Sequence, residues 1–262
     1  MDETATLLRL APADLSRLLR QLATVDAVEL KLSVPEDHRQ STIAALGLDP
    51  LHAQIRQVAF FDTPDLALDE AGLVLRARRV QGKAGDSVVK LRPVDPEAID
   101  PELRRAADFG VEVDAMPGGF VCSGSLKAKV ADATVRAVLS GRRPVRSLFT
   151  KLQKAVAGDH LPDGVVIDDL VVLGPLTVLK LKFAPEGLQR GLVAELWSYP
   201  NGSRLLELST KCTPEEAFHV AVELRAYLGE RGVPVTGEQR TKTRTALDVL
   251  SQRSPPVVAQ PG

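Results

Sequence analysis

Charged side chains recur two residues apart along six short segments of this chain: Glu29 and Lys31, Arg76 and Arg78, Lys90 and Arg92, Glu112 and Asp114, Lys127 and Lys129, Lys180 and Lys182. A β-strand has a side-chain period of two, so each pair points to one face and the apolar residues between them point to the other. The apolar set is Val28, Leu30 and Leu32; Leu75 and Ala77; Val89 and Leu91; Val111 and Val113; Leu126, Ala128 and Val130; Leu179, Leu181 and Phe183. An ordinary antiparallel sheet with one solvated face also alternates. Such a face usually mixes uncharged polar groups with both signs of charge, whereas here like charges are neighbours, which is destabilising unless something neutralises them. A surface that gathers Lys31, Arg76, Arg78, Lys90, Arg92, Lys127, Lys129, Lys180, Lys182 and Lys211 asks for a polyanion. Glu29, Glu112, Asp114, Glu195 and Glu207 among them ask for a hard divalent cation between carboxylate and phosphate.

Both faces of these strands need cover. A closed barrel turns the apolar face outward under amphipathic helices and the charged face inward around a water-filled lumen, with room for a small ligand at roughly eight to ten strands. The expected class is therefore α+β: a closed antiparallel β-barrel of about eight strands, a tunnel with a charged lumen and helices packed outside. Bulk composition agrees. A net charge of -1 over 262 residues excludes a globally basic nucleic-acid binder, so an anion site must be a local concentration of Lys and Arg. Cys122 and Cys212 show no metal or disulfide spacing and read as buried thiols of a reducing cytoplasm. Asp2 and Glu3 open the chain, and Asp168 and Asp169 interrupt its longest apolar run, so neither a leader nor a membrane span is expected.

Local signals mark the elements. Leu15, Leu18, Leu19 and Leu22 behind Pro12 predict a helix over 12–23. Strands are expected at 28–34, 56–62, 73–80, 87–93, 109–114, 124–130, 147–157, 165–173, 177–183, 192–199 and 204–210, and helices at 36–46, 97–107, 131–139, 213–228 and 241–252, with a short helical turn at 64–71. The two halves read alike. The helix over 213–228 is placed with Thr213 as N-cap and Pro214 at its first position, and Asn201-Gly202 favours a type I′ hairpin. Asp62 and Asp65 read as turn caps beside Thr63-Pro64. His38, His52, His160 and His219 lack ligand spacing, and Trp197 shares the parity of Glu195, either packing or stacking on a ligand ring. The organisation is a helical segment over 1–25, a tunnel domain over 26–232, a C-terminal helix over 233–253 and a disordered tail over 254–262.

Val28-Glu-Leu-Lys-Leu32, Phe60-Phe-Asp-Thr-Pro-Asp-Leu-Ala-Leu68, Ala71-Gly-Leu-Val-Leu-Arg-Ala-Arg78 and Val88-Val-Lys-Leu-Arg92 closely resemble the CYTH family, also called triphosphate tunnel metalloenzymes. The resemblance is specific over about residues 27–92 and extends with weaker motifs to about 230. It implies an eight-stranded antiparallel barrel whose basic residues hold a triphosphate and whose acidic residues hold Mg²⁺ or Mn²⁺. Members include thiamine triphosphatases, inorganic triphosphatases, class IV adenylate cyclases and RNA triphosphatases. By position, Glu29 and Lys31 match the second Glu and the Lys of the opening ExExK motif and take the catalytic roles. Arg76, Arg78, Lys90 and Arg92 match the phosphate-gripping positions, with Lys127, Lys129, Lys180 and Lys182 added as substrate contacts. Glu112 and Asp114 match a metal-binding pair, completed by Glu29, Glu195 and Glu207. The chain departs from the family in two places: Ala27 replaces the first Glu, and Lys180 and Lys182 follow Leu173-Gly-Pro175 where paired carboxylates are usual. The implied function is a metal-dependent phosphohydrolase acting on inorganic tripolyphosphate, thiamine triphosphate or a nucleoside triphosphate. The alternatives are a binding module for polyphosphate or nucleotide that has lost turnover, and a class IV cyclase-like enzyme. The implied partner is a small triphosphate or polyphosphate, with neither DNA nor membrane, for a monomer or homodimer.

Overall fold

A computed structural model describes residues 12–235 and 242–251; the tail expected over 254–262 lies outside the described residues. Nine strands close into a barrel: β1 (Ala27–Val34), β2 (Gln54–Asp62), β3 (Leu73–Val80), β4 (Lys83–Leu91), β5 (Phe109–Met116), β6 (Gly119–Val130), β7 (Val171–Phe183), β8 (Leu192–Ser198) and β9 (Arg204–Cys212). Their order around the ring is β1-β5-β6-β4-β3-β2-β7-β8-β9. Two meanders, β2-β3-β4 and β7-β8-β9, join along β2 and β7, and the β5–β6 hairpin and β1 complete the circle. The closed barrel is as expected. Its count is nine, and an odd number of strands cannot alternate in direction all the way round a ring. One seam must be parallel, and it falls between β1 and β5, with Glu29 beside Asp114 and Ala27 beside Glu112.

Eight α-helices accompany the strands among the described residues: α1 (Pro12–Leu22), α2 (Arg39–Ala45), α3 (Ala67–Glu70), α4 (Pro101–Arg104), α5 (Asp132–Leu139), α6 (Lys151–Gly158), α7 (Ala217–Glu230) and α8 (Lys242–Ser251). The outward-facing strand residues, including Val28, Leu75, Val89 and Val113, are buried with Val135 and Val138 of α5, Val156 of α6 and Leu224 and Leu228 of α7. Each such side chain stabilises the fold by about 1.5–3 kcal/mol. None of the described helices is long and apolar enough to cross a membrane.

Several expected elements are corrected. The strand over 147–157 is a 3₁₀ turn, Val145–Leu148, followed by α6. Thr150 and Gln153 form a capping box there, a stronger local determinant than the short apolar run. The helix over 97–107 breaks into a 3₁₀ turn, Pro96–Ala98, and the four-residue α4, because Pro101 starts a new turn capped by the Asp100 carboxylate. The strand over 165–173 opens with a 3₁₀ turn, Ile167–Asp169, and its end merges with 177–183 into the thirteen-residue β7. β7 stays continuous through Gly174, where φ is +111° and a Cβ would lie 3.1 Å from the Val58 carbonyl oxygen. Helix α7 starts at Ala217, later than expected, because Thr213 spends its N–H and hydroxyl on the Glu216 carboxylate in a preceding turn. The β8–β9 hairpin is not type I′. Pro200 fixes a negative φ at the first central position, and in this turn only Gly202 adopts a positive φ.

Gln153 ties α6 to the barrel wall. Fully buried, its amide accepts from the Thr150 N–H and the Ser87 hydroxyl and donates to the Ser87 and Leu126 carbonyls at 3.0–3.1 Å. Gln153→Leu keeps the volume and strands these partners, so we expect a loss of about 3 kcal/mol, read as a fall of about 5–10 °C in melting temperature.

Helix α8 adds a feature to the expected barrel with helices packed outside it. Its Ala246, Leu247 and Leu250 form a second apolar core with the inward-facing Val58, Phe60, Leu176, Val178, Trp197 and Tyr199. One end of the barrel is thereby filled, and the lumen is blind.

Candidate functional site

What remains of the lumen is a cavity of about 190 Å³. Ten basic side chains line it, from Lys31 on β1 to Lys242 on α8, together with the carboxylates of Glu29, Glu112, Glu195 and Glu207. Asp114 lies just behind the wall with its side chain 1% exposed, which leaves five positive charges in surplus among these groups.

The charges sort into three groups. The first is built on the parallel seam: Glu29, Glu112 and Asp114 each place a carboxylate oxygen within 4.8 Å of the others. Asp114 accepts from Lys31 Nζ at 2.7 Å and Lys90 Nζ at 3.1 Å, and Arg92 lies 3.5 Å away. Burial alone would raise its pKa, but Lys90, Lys31 and Arg92 outweigh burial and hold the carboxyl well below the usual range. Burial lowers Lys90 to about 8, against the pull of Asp114 and with help from Lys31 and Arg92. Glu29 pairs with Lys31 at 3.3 Å, and Glu112 Oε1 receives Lys211 Nζ at 2.5 Å with Lys127 at 3.9 Å. Three carboxylates at this spacing are a donor set suited to a hard, oxygen-seeking divalent ion.

The second group sits beside α8. Glu195 and Glu207 face each other in the β8–β9 register, and Lys242 bridges them, 2.5 Å from Glu195 Oε2 and 2.7 Å from Glu207 Oε1. Lys180 donates to the other oxygen of Glu195 at 2.9 Å, and Lys242 also lies 5.6 Å from the centre of the Trp197 ring. The structure therefore brings Glu29, Glu112 and Asp114 together and leaves Glu195 and Glu207 in a separate group bound by lysines. Trp197, 2% exposed and packed under α8, belongs to the core where it meets the floor of the cavity.

The third group is an arginine wall. Arg78 holds Asp86 in a two-pronged pair at 2.8 Å, and Arg56 donates twice to Gln54. Between them Arg76 is half-buried and makes no ion pair among the described residues, and its buried Nε is without a hydrogen-bond partner. Burial, with Arg78 adding like charge, lowers even this guanidinium to about 10.

Of the other residues named from sequence, Lys127 is exposed at the mouth, and Lys129 and Lys182 are exposed at strand ends outside the cavity. Asp62 caps α3, accepting from the N–H groups of Thr63, Leu68 and Asp69. Both cysteines are free and buried. Sequence reasoning missed Arg56, which has no charged residue two positions away on its strand, and Lys242, which arrives from a helix where strand parity says nothing.

No protein-family model matches the chain, and no curated protein matches it. Solved structures do. A candidate adenylate cyclase from Bacillus halodurans is similar at a TM-score of 0.57 and 17% identity, over 84% of this chain and 97% of that one. HpAC1 from Hippeastrum, a candidate adenylyl cyclase described as having a dominant triphosphatase activity, is similar at 0.60 and 20% identity, over 84% and 94%. At these identities the likeness establishes the fold, that of the triphosphate tunnel barrels.

Proposed function

We propose that the chain binds inorganic tripolyphosphate in its blind lumen and hydrolyses it to pyrophosphate and orthophosphate with Mg²⁺ or Mn²⁺. The observation that carries this reading is the half-buried guanidinium of Arg76, which lines a lumen with a surplus of positive charge and makes no ion pair among the described residues, its buried Nε lacking a hydrogen-bond partner. A cation held among like charges with a buried donor unsatisfied is costly, and a polyanion supplies the partner. The size of the lumen supports the narrower choice: about 190 Å³ is small beside the roughly 300–1,000 Å³ of sites for drug-sized organic ligands.

The residues divide the work. Arg56, Arg76, Arg78 and Lys180 bind phosphoryl oxygens along one wall, and Lys31, Lys90 and Arg92 neutralise charge at the reacting end. Glu29, Glu112 and Asp114 would hold the divalent ion, which when bound would supply charge neutralisation on the terminal phosphoryl group and activation of the attacking water. As the water oxygen bonds to the terminal phosphorus, one of its protons stays on the orthophosphate and the other is lost to solvent, while the bridging P–O bond breaks and its electrons leave with pyrophosphate, whose negative charge the basic wall stabilises. Purified protein with Mn²⁺ should release phosphate from tripolyphosphate faster than from thiamine triphosphate or ATP. Glu112→Gln should slow release at least about 100-fold; unchanged release would reject the assignment of the acidic cluster.

A second reading has its own support. Ala27 removes a carboxylate, and Lys31, Lys90 and Lys211 occupy those that remain, as a non-hydrolysing polyphosphate binder would have them. Calorimetry in chelator separates the two: tight metal-free binding of tripolyphosphate with no phosphate release on adding Mn²⁺ favours the binder.

A further inference from the structure

The parallel seam contains a gap and a cation beside it. Ala27 lies two residues before Glu29, on the strand face that looks into the lumen, and pairs in register with Glu112. A methyl group therefore stands where a further carboxylate would complete the cluster. Lys211 of β9 is opposite Glu29 in the neighbouring register and reaches across to Glu112. On the other flank, Lys31 is wedged between Glu29 and Asp114. One divalent ion can sit among the three carboxylate oxygens. A second at the Glu112 end would have to expel an ammonium and would find no oxygen from position 27 in exchange.

We propose that the Lys211 ammonium is a built-in counter-ion taking the place of a second divalent cation, so that the lumen holds one metal ion per bound triphosphate. The inference rests on the function proposed above and specifies its metal requirement. Lys211 is half exposed at the cavity mouth, so its replacement should leave the fold intact.

The test is a count of ions on the full chain, with Mn²⁺ and imidotriphosphate, whose bridging nitrogens resist hydrolysis. Equilibrium dialysis with metal analysis should find one Mn²⁺ per chain, and the electron paramagnetic resonance spectrum should show the six lines of an isolated ion. Ala27→Glu combined with Lys211→Gln should bind two ions with a broadened, spin-coupled spectrum. Lys211→Gln alone should bind its ion about fivefold more tightly, having lost a nearby repelling charge, which keeps the test decisive if the glutamate at 27 prevents folding. Two ions in the unaltered protein, or an affinity unchanged in Lys211→Gln, would overturn the counter-ion role while leaving the triphosphate site standing. Failure of imidotriphosphate to bind at all would overturn the proposed function and this inference with it.

Discussion

Arg76→Met is expected to make the empty protein more stable and, in the same molecule, to remove most of its affinity for tripolyphosphate. The two effects have opposite sign because they have one cause. Arg76 faces Phe60 of β2 and Val88 of β4 in register, so its stem is bedded among apolar groups while its guanidinium makes no ion pair among the described residues and its Nε no hydrogen bond. Methionine follows that stem and leaves out the charge. Relief of the unpaired charge should contribute about 1–3 kcal/mol to the stability of the empty protein. Loss of a charge-assisted contact should weaken polyphosphate binding about 100-fold. Thermal melts without ligand and calorimetry with it read the two effects separately. Arg78→Met is the control, since it strands the Asp86 carboxylate, and there stability and affinity should fall together. An Arg76→Met protein that melts lower than the parent and binds as tightly would sink both the site and the reading built on it.

Much of this arrangement is legible in the residue order, and the reasons for the rest are physical. Paired charges at a spacing of two set the charged residues of β1, β3, β4 and β5 on one face by strand geometry, and the need to cover both faces turns that face inward. The same rule is silent on β2, whose inward face carries Arg56 and then Val58 and Phe60. It also stops short of strand ends: Lys129 and Lys182 have the right parity but stand beyond the cavity. Parity cannot report partners either. Glu195 and Glu207 qualify as metal ligands on chemistry alone, and only the fold reveals that Lys242 binds both. The parallel seam is similarly a property of the closed ring, invisible to any local pattern. The strand wrongly expected over 147–157 was avoidable, since Thr150 and Gln153 spell a capping box.

Lys242→Met should destabilise the protein by about 3–5 kcal/mol at pH 7 and reverse the response of its stability to acid. In the parent, burial would raise Glu195, but Lys242 and then Lys180 outweigh it and hold the carboxyl well below its ordinary value. Burial likewise opposes Lys242, which Glu207, Glu195 and Glu29 nevertheless raise above its ordinary value. A depressed carboxylate contributes stability that is present above its unfolded pKa, near 4.5, and lost as pH falls through the folded one. A raised ammonium contributes stability that is complete below its unfolded pKa, near 10.5, and lost as pH rises through the folded one. The group therefore adds a constant amount between those limits. Without Lys242, Glu195 and Glu207 confront each other across β8 and β9, and a proton becomes the cheapest replacement for the missing cation. The folded variant then binds more protons than the unfolded chain, so its melting temperature should climb as pH drops from 7 to 5, where the parent's is flat. Adding Glu195→Gln and Glu207→Gln should restore most of the loss and abolish the slope. A Lys242→Met protein with the parent's melting temperature and no dependence on pH would show that α8 does not deliver its lysine to these carboxylates, and the blind end of the lumen would have to be redrawn.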